Sequence, residues 1–303
     1  MRGCGVADGR LLFRRVRHGI EAVAIYGAFG LFRLLPLGFA SAIGGWLGRR
    51  LGPWLRPSGI ARRNLAATFP EKTPAEIEAI VAAMWENLGR VGAEYPHVAR
   101  LRVYEPDGAV EVVGAEILDR LRDDGRPAVL FSGHLANWEV IRPALVQRGL
   151  VFAAAYRAAN NPWVDSLIFH GRRDMTGPLI PKGGQGARMA LKTLKSRQHL
   201  AMFVDQKMND GIAVPFFGRD AMTATAAVDL ARKFECPLVP VRIERLGGAR
   251  FRVTVEEPLD LPLSRDRHAD IRAGTIRINQ RLEAWIRERP EQWLWVHRRW
   301  SDG

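Results

Sequence analysis

Cysteine is almost missing from this chain: Cys4 and Cys236 are the only two in 303 residues. Two thiols so far apart support neither a disulfide framework nor a thiolate metal site, and their scarcity fits a reducing, cytosol-facing location. Other absences narrow the chemistry further. There is no His-Glu-x-x-His or Cys-x-x-Cys, so no metal site is expected. Ser132 does not stand in a Gly-x-Ser-x-Gly elbow, which argues against a serine nucleophile. Gly183, Gly184 and Gly186 lack the Lys-Ser/Thr ending of a P-loop. No internal repeat or low-complexity tract appears. Acidic residues are in deficit, 32 against 45 Lys and Arg for a net charge of +13, so the partners are expected to be anionic: a membrane surface, a phosphorylated substrate, an acidic protein or nucleic acid. Trp293, Trp295, Arg298, Arg299 and Trp300 interleave rings and cations as single-strand binders do. However, no helix-turn-helix, zinc finger or RNP pattern accompanies them, and nucleic acid is not an expected partner.

Long apolar runs are scarce too. The stretch from Ala22 to Phe32 is cut by Arg33 and resumes from Leu34 to Gly48, with Pro36 inside it. Arg10, Arg14, Arg15 and Arg17 precede it, and Arg49 and Arg50 follow. A basic start and Ala40-Ser41-Ala42 mimic a signal peptide, yet the apolar pattern continues through Ile43, Trp46 and Leu47. Trp46, Trp54 and the flanking arginines suit a headgroup layer. Residues 1–56 are therefore expected to form membrane-associating helices, either spanning or lying in the plane, and residues 57–303 an α/β domain. A 47% apolar content can fill one large core.

Periodicity predicts helices over Ser58–Phe69, with Ser58 as cap, Pro74–Val98, Ala115–Asp123, Asn161–Arg173, Ala187–Ser196, Thr223–Phe234 and Ile271–Glu288. Strands are expected over Val110–Val113, Pro127–Phe131, Leu150–Tyr156, Leu179–Pro181, His199–Val204, Leu238–Ile243 and Phe251–Val255. Alternation of the two predicts an α/β fold with a largely parallel central sheet flanked by helices. In such sheets, chemistry gathers beyond the carboxyl ends of the strands.

The stretch Phe131-Ser-Gly-His134-Leu-Ala-Asn-Trp-Glu139 occupies one of those ends. On a continuous helix, residues five apart point about 140° away from each other and cannot touch. With His134 in a turn and Glu139 in the first helical turns, the carboxylate can reach back to one imidazole nitrogen while the other faces a cleft. That is a general base and its orienter. Spacing alone is weak: 7 His and 32 acidic residues supply about one such pair by chance, and His297 with Asp302 is another. The strand before His134 and the helix after it separate the two. The other strand ends contribute Arg157, Asn160 and Asn161; Lys182 with the glycines after it; and Asp205, Gln206 and Lys207. A base, cations and amides suit an anionic substrate with a reacting hydroxyl. Each has a plainer use: Arg157 as a partner of Asp165, Arg172 and Arg173 as a solvated face, Asp205 as a cap or acceptor of loop N–H groups.

Ser-Gly-His134-Leu-Ala-Asn137-Trp-Glu139 resembles the His-x4-Asp/Glu motif of the glycerolipid and lysophospholipid acyltransferase superfamily. The wider pattern is similar to the bacterial late acyltransferases of lipid A biosynthesis over nearly the whole chain. It comprises Tyr156-Arg157-Ala-Ala-Asn160-Asn161-Pro162, Gly171-Arg172-Arg173, Asp205-Gln206, Val214-Pro215-Phe216-Phe217-Gly218, Thr225, and Pro290-Glu-Gln-Trp293-Leu-Trp295-Val-His297-Arg-Arg299. The resemblance implies a catalytic dyad of His134 and Glu139 and a surrounding shell with Arg157 and Asp205. Further substrate contacts are expected from Asn137, Asn160, Arg172, Arg173, Lys182, Gln206 and Thr225. It also implies an acyl carrier protein thioester as donor with no cofactor, a lipid A precursor as acceptor, and work beside anionic lipid at the cytoplasmic face of a bacterial inner membrane. A lysophospholipid or other glycerolipid acceptor is the alternative.

Overall fold

The computed structural model describes residues 4–156, 159–173 and 177–300, with side chains at the same positions except 4–14, 170 and 173. Two helices come first, α1 (Cys4–Leu34) and α2 (Leu37–Leu51), with the break at Pro36, whose nitrogen has no hydrogen to donate. They lead into α3 (Ser58–Thr68) and α4 (Pro74–Glu94). Helix α2 lies against α4 through glycines: a Cβ on Gly44 would stand 2.5 Å from the Gly89 carbonyl oxygen, and one on Gly48 2.1 Å from that of Trp85. Only the absence of a side chain lets the two backbones meet so closely. The outer side of α2 exposes Phe39, Ile43, Trp46 and Leu47. Among the described residues no helix is long and apolar enough to cross a membrane. Ser58, expected as a cap, is instead the first residue of α3; its Oγ donates to the Gly52 carbonyl and accepts the Trp85 indole N–H. Helix α4 opens on a capping box of Thr73 and Glu76 and ends earlier than expected, passing into a 3₁₀ segment at Tyr95.

Strands and helices then alternate: β1 (Val110–Val113), α5 (Ala115–Asp123), β2 (Val129–Ser132), α6 (Ile141–Gln147), β3 (Phe152–Ala155), α7 (Pro162–Arg173), β4 (Leu179–Ile180), α8 (Gly184–Lys195) and β5 (His199–Phe203). After them come β6 (Ile212–Phe216), β7 (Arg219–Thr223), α9 (Ala226–Lys233), β8 (Leu238–Gly247), β9 (Arg250–Val255) and α10 (Arg267–Glu288). Seven strands form one sheet in the order β1-β9-β8-β2-β5-β3-β4, parallel throughout except at the β8–β9 hairpin. All four residues of β2 are buried, which explains its unbroken apolar run: a strand covered on both faces need not alternate.

The separate hairpin of β6 and β7 was not expected from sequence, because Pro215 speaks against a strand. It is tolerated in a two-stranded ribbon that turns at Phe217 and Gly218, both at positive φ. The indoles of Trp285, Trp293, Trp295 and Trp300 are interior: Trp293 and Trp300 pack on Phe216, Trp295 on Phe217 and Trp293, and Trp285 stacks on Phe131. The aromatic rings of the tail are thus core, with the Arg299 guanidinium buried over the Phe216 ring and Arg298 exposed.

Candidate active site

The carboxyl ends of β2, β5 and β3 lie side by side, Ser132 paired with Phe203 and Ala154 with Ala201. That adjacency brings the segments after each strand to one place. His134 Nδ1 stands 2.8 Å from Asp205 Oδ1, and the His134 backbone N–H donates to Asp205 Oδ2 at 2.8 Å. The Trp293 indole N–H donates to the same Oδ2 at 2.9 Å. Asp205 is 1% exposed. Burial pushes its carboxyl up, but the charge of His134 and these donors outweigh burial and hold it well below the ordinary carboxylate range. An ionised Asp205 accepting from Nδ1–H leaves the lone pair of neutral His134 on Nε2. Gly133 permits the approach: a Cβ there would lie 3.1 Å from Leu282 and 3.4 Å from the Asp205 carboxyl carbon. The imidazole is flanked by Phe203 and Trp138, with ring centroids at 4.8 and 5.1 Å.

The turn bearing His134 is held by a buried polar frame. Leu135 bridges to Trp293, and Ala136, at φ 45°, donates its N–H to the Gln292 carbonyl and receives the Asn87 amide on its own. Asn137 donates to Glu94 at 2.8 Å and caps the N–H of Glu139. Glu94, 1% exposed, also accepts from Arg245 and from Ser41 of α2. Asn137 is therefore spent inside the protein, a correction to the substrate contact expected of it.

Glu139 corrects the expected dyad. Its carboxylate accepts from Arg172, from Arg142 Nε at 3.2 Å and from the Trp138 indole at 3.1 Å, and it makes no hydrogen bond to His134. Burial pushes this carboxyl up, and the two guanidiniums more than reverse the effect, so it stays ionised and acts on His134 through its field alone. A carboxylate in reach of the buried Arg142 and the half-buried Arg172 is held there, because unpaired guanidiniums away from water would be costly. Arg172, expected to meet substrate, is committed to Glu139 and lies over the Tyr156 ring. Arg157 and the side chain of Arg173 lie outside the described residues. Asp165, offered above as a partner of Arg157, accepts from the Tyr156 hydroxyl and the Ala159 N–H.

His134 opens onto a cavity of about 880 Å³. Its apolar wall comes from β5 (Leu200, Met202), α8 (Ala187, Ala190, Leu191) and Leu230 of α9. Its polar lining includes Asn160, Lys182, Gln206, Lys207 and Lys233. Thr225 stands at the start of α9 between two lining residues, Ala224 and Ala226, making no side-chain cap and not itself entering the wall. His297, which spacing alone made a chance match, also lines this cavity, its ring centroid 6.1 Å from that of His134. The local pattern gave no signal for it; the only pointer was its place in the closing Trp-x-Trp-x-His segment. Among the described residues no cluster of His, Cys, Asp and Glu could hold a metal ion.

Residues 12–302 match the family described as bacterial lipid A biosynthesis acyltransferase. The lipid A biosynthesis myristoyltransferase of Escherichia coli is 27% identical over 94% of this chain and 87% of its own. The palmitoleoyltransferase of the same organism is 25% identical over 84% of each chain, and its lauroyltransferase 26% identical over 81% and 79%. With an imidazole fixed on a buried carboxylate and opening onto a large cavity at the head of the sheet, and with a family match that runs nearly end to end, this chain is an acyltransferase that belongs to the bacterial lipid A biosynthesis acyltransferase family.

Proposed function

We propose that the chain moves a fatty acyl group from an acyl carrier protein thioester to a hydroxyl of a lipid A precursor, with His134 as general base held by Asp205. The observation that carries this is the imidazole whose Nδ1 is fixed on a buried, ionised carboxylate at the edge of a cavity of about 880 Å³. Ligand cavities commonly enclose roughly 300–1,000 Å³, and this one joins an apolar wall for a chain to lysines for an anion. His134 Nε2 takes the hydroxyl proton as the oxygen attacks the thioester carbonyl. The C–S bond then breaks with its electron pair on sulfur, and the imidazolium returns the proton to the thiolate. Asp205 stabilises the imidazolium between these steps. Glu139 serves by holding Arg142 and Arg172 beside the site.

The N-terminal helices support work at a membrane surface, on the cytoplasmic face of the inner membrane. Exposed large apolar side chains concentrate there, among them Ile20, Val23, Phe39, Trp46, Leu51 and Trp54, with Arg33, Arg49 and Arg50 exposed between them. Such a surface, apolar and cationic at once, suits anionic lipid in the plane of a bilayer.

The test is mass spectrometry of lipid A from cells with and without the protein, joined to an assay in which a labelled acyl carrier thioester meets a lipid A precursor or a lysophospholipid. One added acyl chain on lipid A, and transfer to that precursor, is the expected result. Transfer to the lysophospholipid alone would overturn the acceptor, and unchanged lipid A would overturn the assignment.

A further inference from the structure

An alcohol attacking a thioester pushes the carbonyl electron pair onto oxygen, and that oxyanion needs donors aimed at it. Backbone N–H groups of the loop that carries the base are a common source, and here four of them, the His134 N–H included, are already bonded within the protein. His134 N–H goes to Asp205, Leu135 N–H to the Gly133 carbonyl, Ala136 N–H to the Gln292 carbonyl and Glu139 N–H to Asn137. Among side chains beside the cavity, Arg172 is spent on Glu139 and the Tyr156 hydroxyl on Asp165.

Gln206 is placed differently. It follows Asp205 directly, lines the cavity with His134, and donates one Nε2–H to His297 Nε2 at 2.9 Å. A carboxamide nitrogen carries two hydrogens, so one remains for the cavity. An amide nitrogen can only donate, so His297 Nε2 is the acceptor of this bond, on a ring 6.1 Å from that of His134. The His297 carbonyl is in turn clasped by the buried Asn64 amide at 2.8 Å, which also holds the Trp295 carbonyl.

We infer that Gln206 is the oxyanion donor of this site and that His297 is the residue that aims it. The inference rests on the acyl-transfer reading above. As the hydroxyl oxygen bonds to the thioester carbon, its proton passes to His134 Nε2 and the carbonyl π pair moves to oxygen, where the free Gln206 N–H meets it. When the C–S bond breaks, that pair re-forms the carbonyl, and sulfur leaves with the bonding pair and the proton from His134.

The experiment measures transfer by the full chain from an acyl carrier thioester, and slow hydrolysis of the same thioester by water with no acceptor. Gln206→Leu and the near-isosteric Gln206→Met are expected to lose roughly 10²–10³ in kcat, with KM for either substrate changed less than about threefold. Hydrolysis falls by the same factor, because water and alcohol attack through the same oxyanion. His297→Leu shows the same kcat loss, and His297→Gln, which keeps an acceptor near Nε2, restores most of it at an unchanged melting temperature. Gln206 variants with kcat near wild type, or a loss confined to acceptor KM with hydrolysis intact, would overturn the assignment and make the pair an acceptor-binding group. A wild-type chain that cleaves no thioester at all sinks the acyl-transfer reading and this inference together.

Discussion

Replacing Asp205 by Asn separates the two carboxylates that compete for the role of orienter. Asp205 accepts three hydrogen bonds, from His134 Nδ1, the His134 backbone N–H and the Trp293 indole. A carboxamide of the same shape offers one accepting oxygen, and its NH₂ must face one of those donors. If the oxygen serves the backbone and the indole, the amide N–H points at Nδ1, which then needs a lone pair. The ring answers by moving its proton to Nε2, and the base is lost. A wrong tautomer of this kind costs roughly 10⁴ in kcat in hydrolytic triads, so a fall of roughly 10³–10⁴, or about 4–5.5 kcal/mol of barrier, is expected with a small change in KM. Glu139→Gln is expected to act through folding instead, since Arg142 and Arg172 lose their buried counter-ion, a defect of about 3–5 kcal/mol. The assay is acyl transfer with melting temperatures in parallel, and the double variant His134→Ala/Asp205→Asn should be scarcely slower than His134→Ala alone. Glu139, not Asp205, is the orienter if Asp205→Asn keeps more than about a tenth of wild-type kcat while Glu139→Gln loses as much as His134→Ala at an unaltered melting temperature.

Acid should act through the same carboxylate. Because folding lowers the Asp205 pKa, its contribution to stability is present above the ordinary carboxylate value of about 4 and fades as pH falls below it; urea midpoints of wild type should drop more steeply there than those of Asp205→Asn. Ala190 lines the apolar wall, so Ala190→Leu should shift transfer to shorter chains, at about 0.8 kcal/mol or fourfold in kcat/KM per displaced methylene, as read from the mass of the acyl group delivered. Trp46→Ser with Trp54→Ser should weaken sedimentation with anionic vesicles roughly tenfold or more without altering the melting temperature; equal binding would remove the N-terminal surface from the account. Glu94→Gln should cost about 3–5 kcal/mol in chemical denaturation, since it strips the buried Arg245 of its counter-ion.

Local signals carried much of the architecture. Strand β1 and helix α5 fall where periodicity put them, and the strand–turn–helix around His134 is formed by β2, a 3₁₀ turn from Trp138 and α6. The extent of the aromatic tail's burial was not legible, because interleaved rings and cations look alike whether they face a nucleotide or a core. Nor was the Ser58 cap, since a serine at a helix start satisfies the same pattern when its hydroxyl is bound elsewhere.

The sequence by itself determined that a histidine would stand where a buried strand gives way to a helix, since apolar run length and helical spacing are local properties of the chain. Which carboxylate would hold that histidine was decided only in three dimensions. Glu139 is five residues away yet faces two arginines, whereas Asp205, 71 residues on, is delivered to the imidazole by the pairing of β2 with β5. Strand order follows from burying the whole sheet at once, and a hydrogen-bond partner chosen by strand order leaves no trace in spacing.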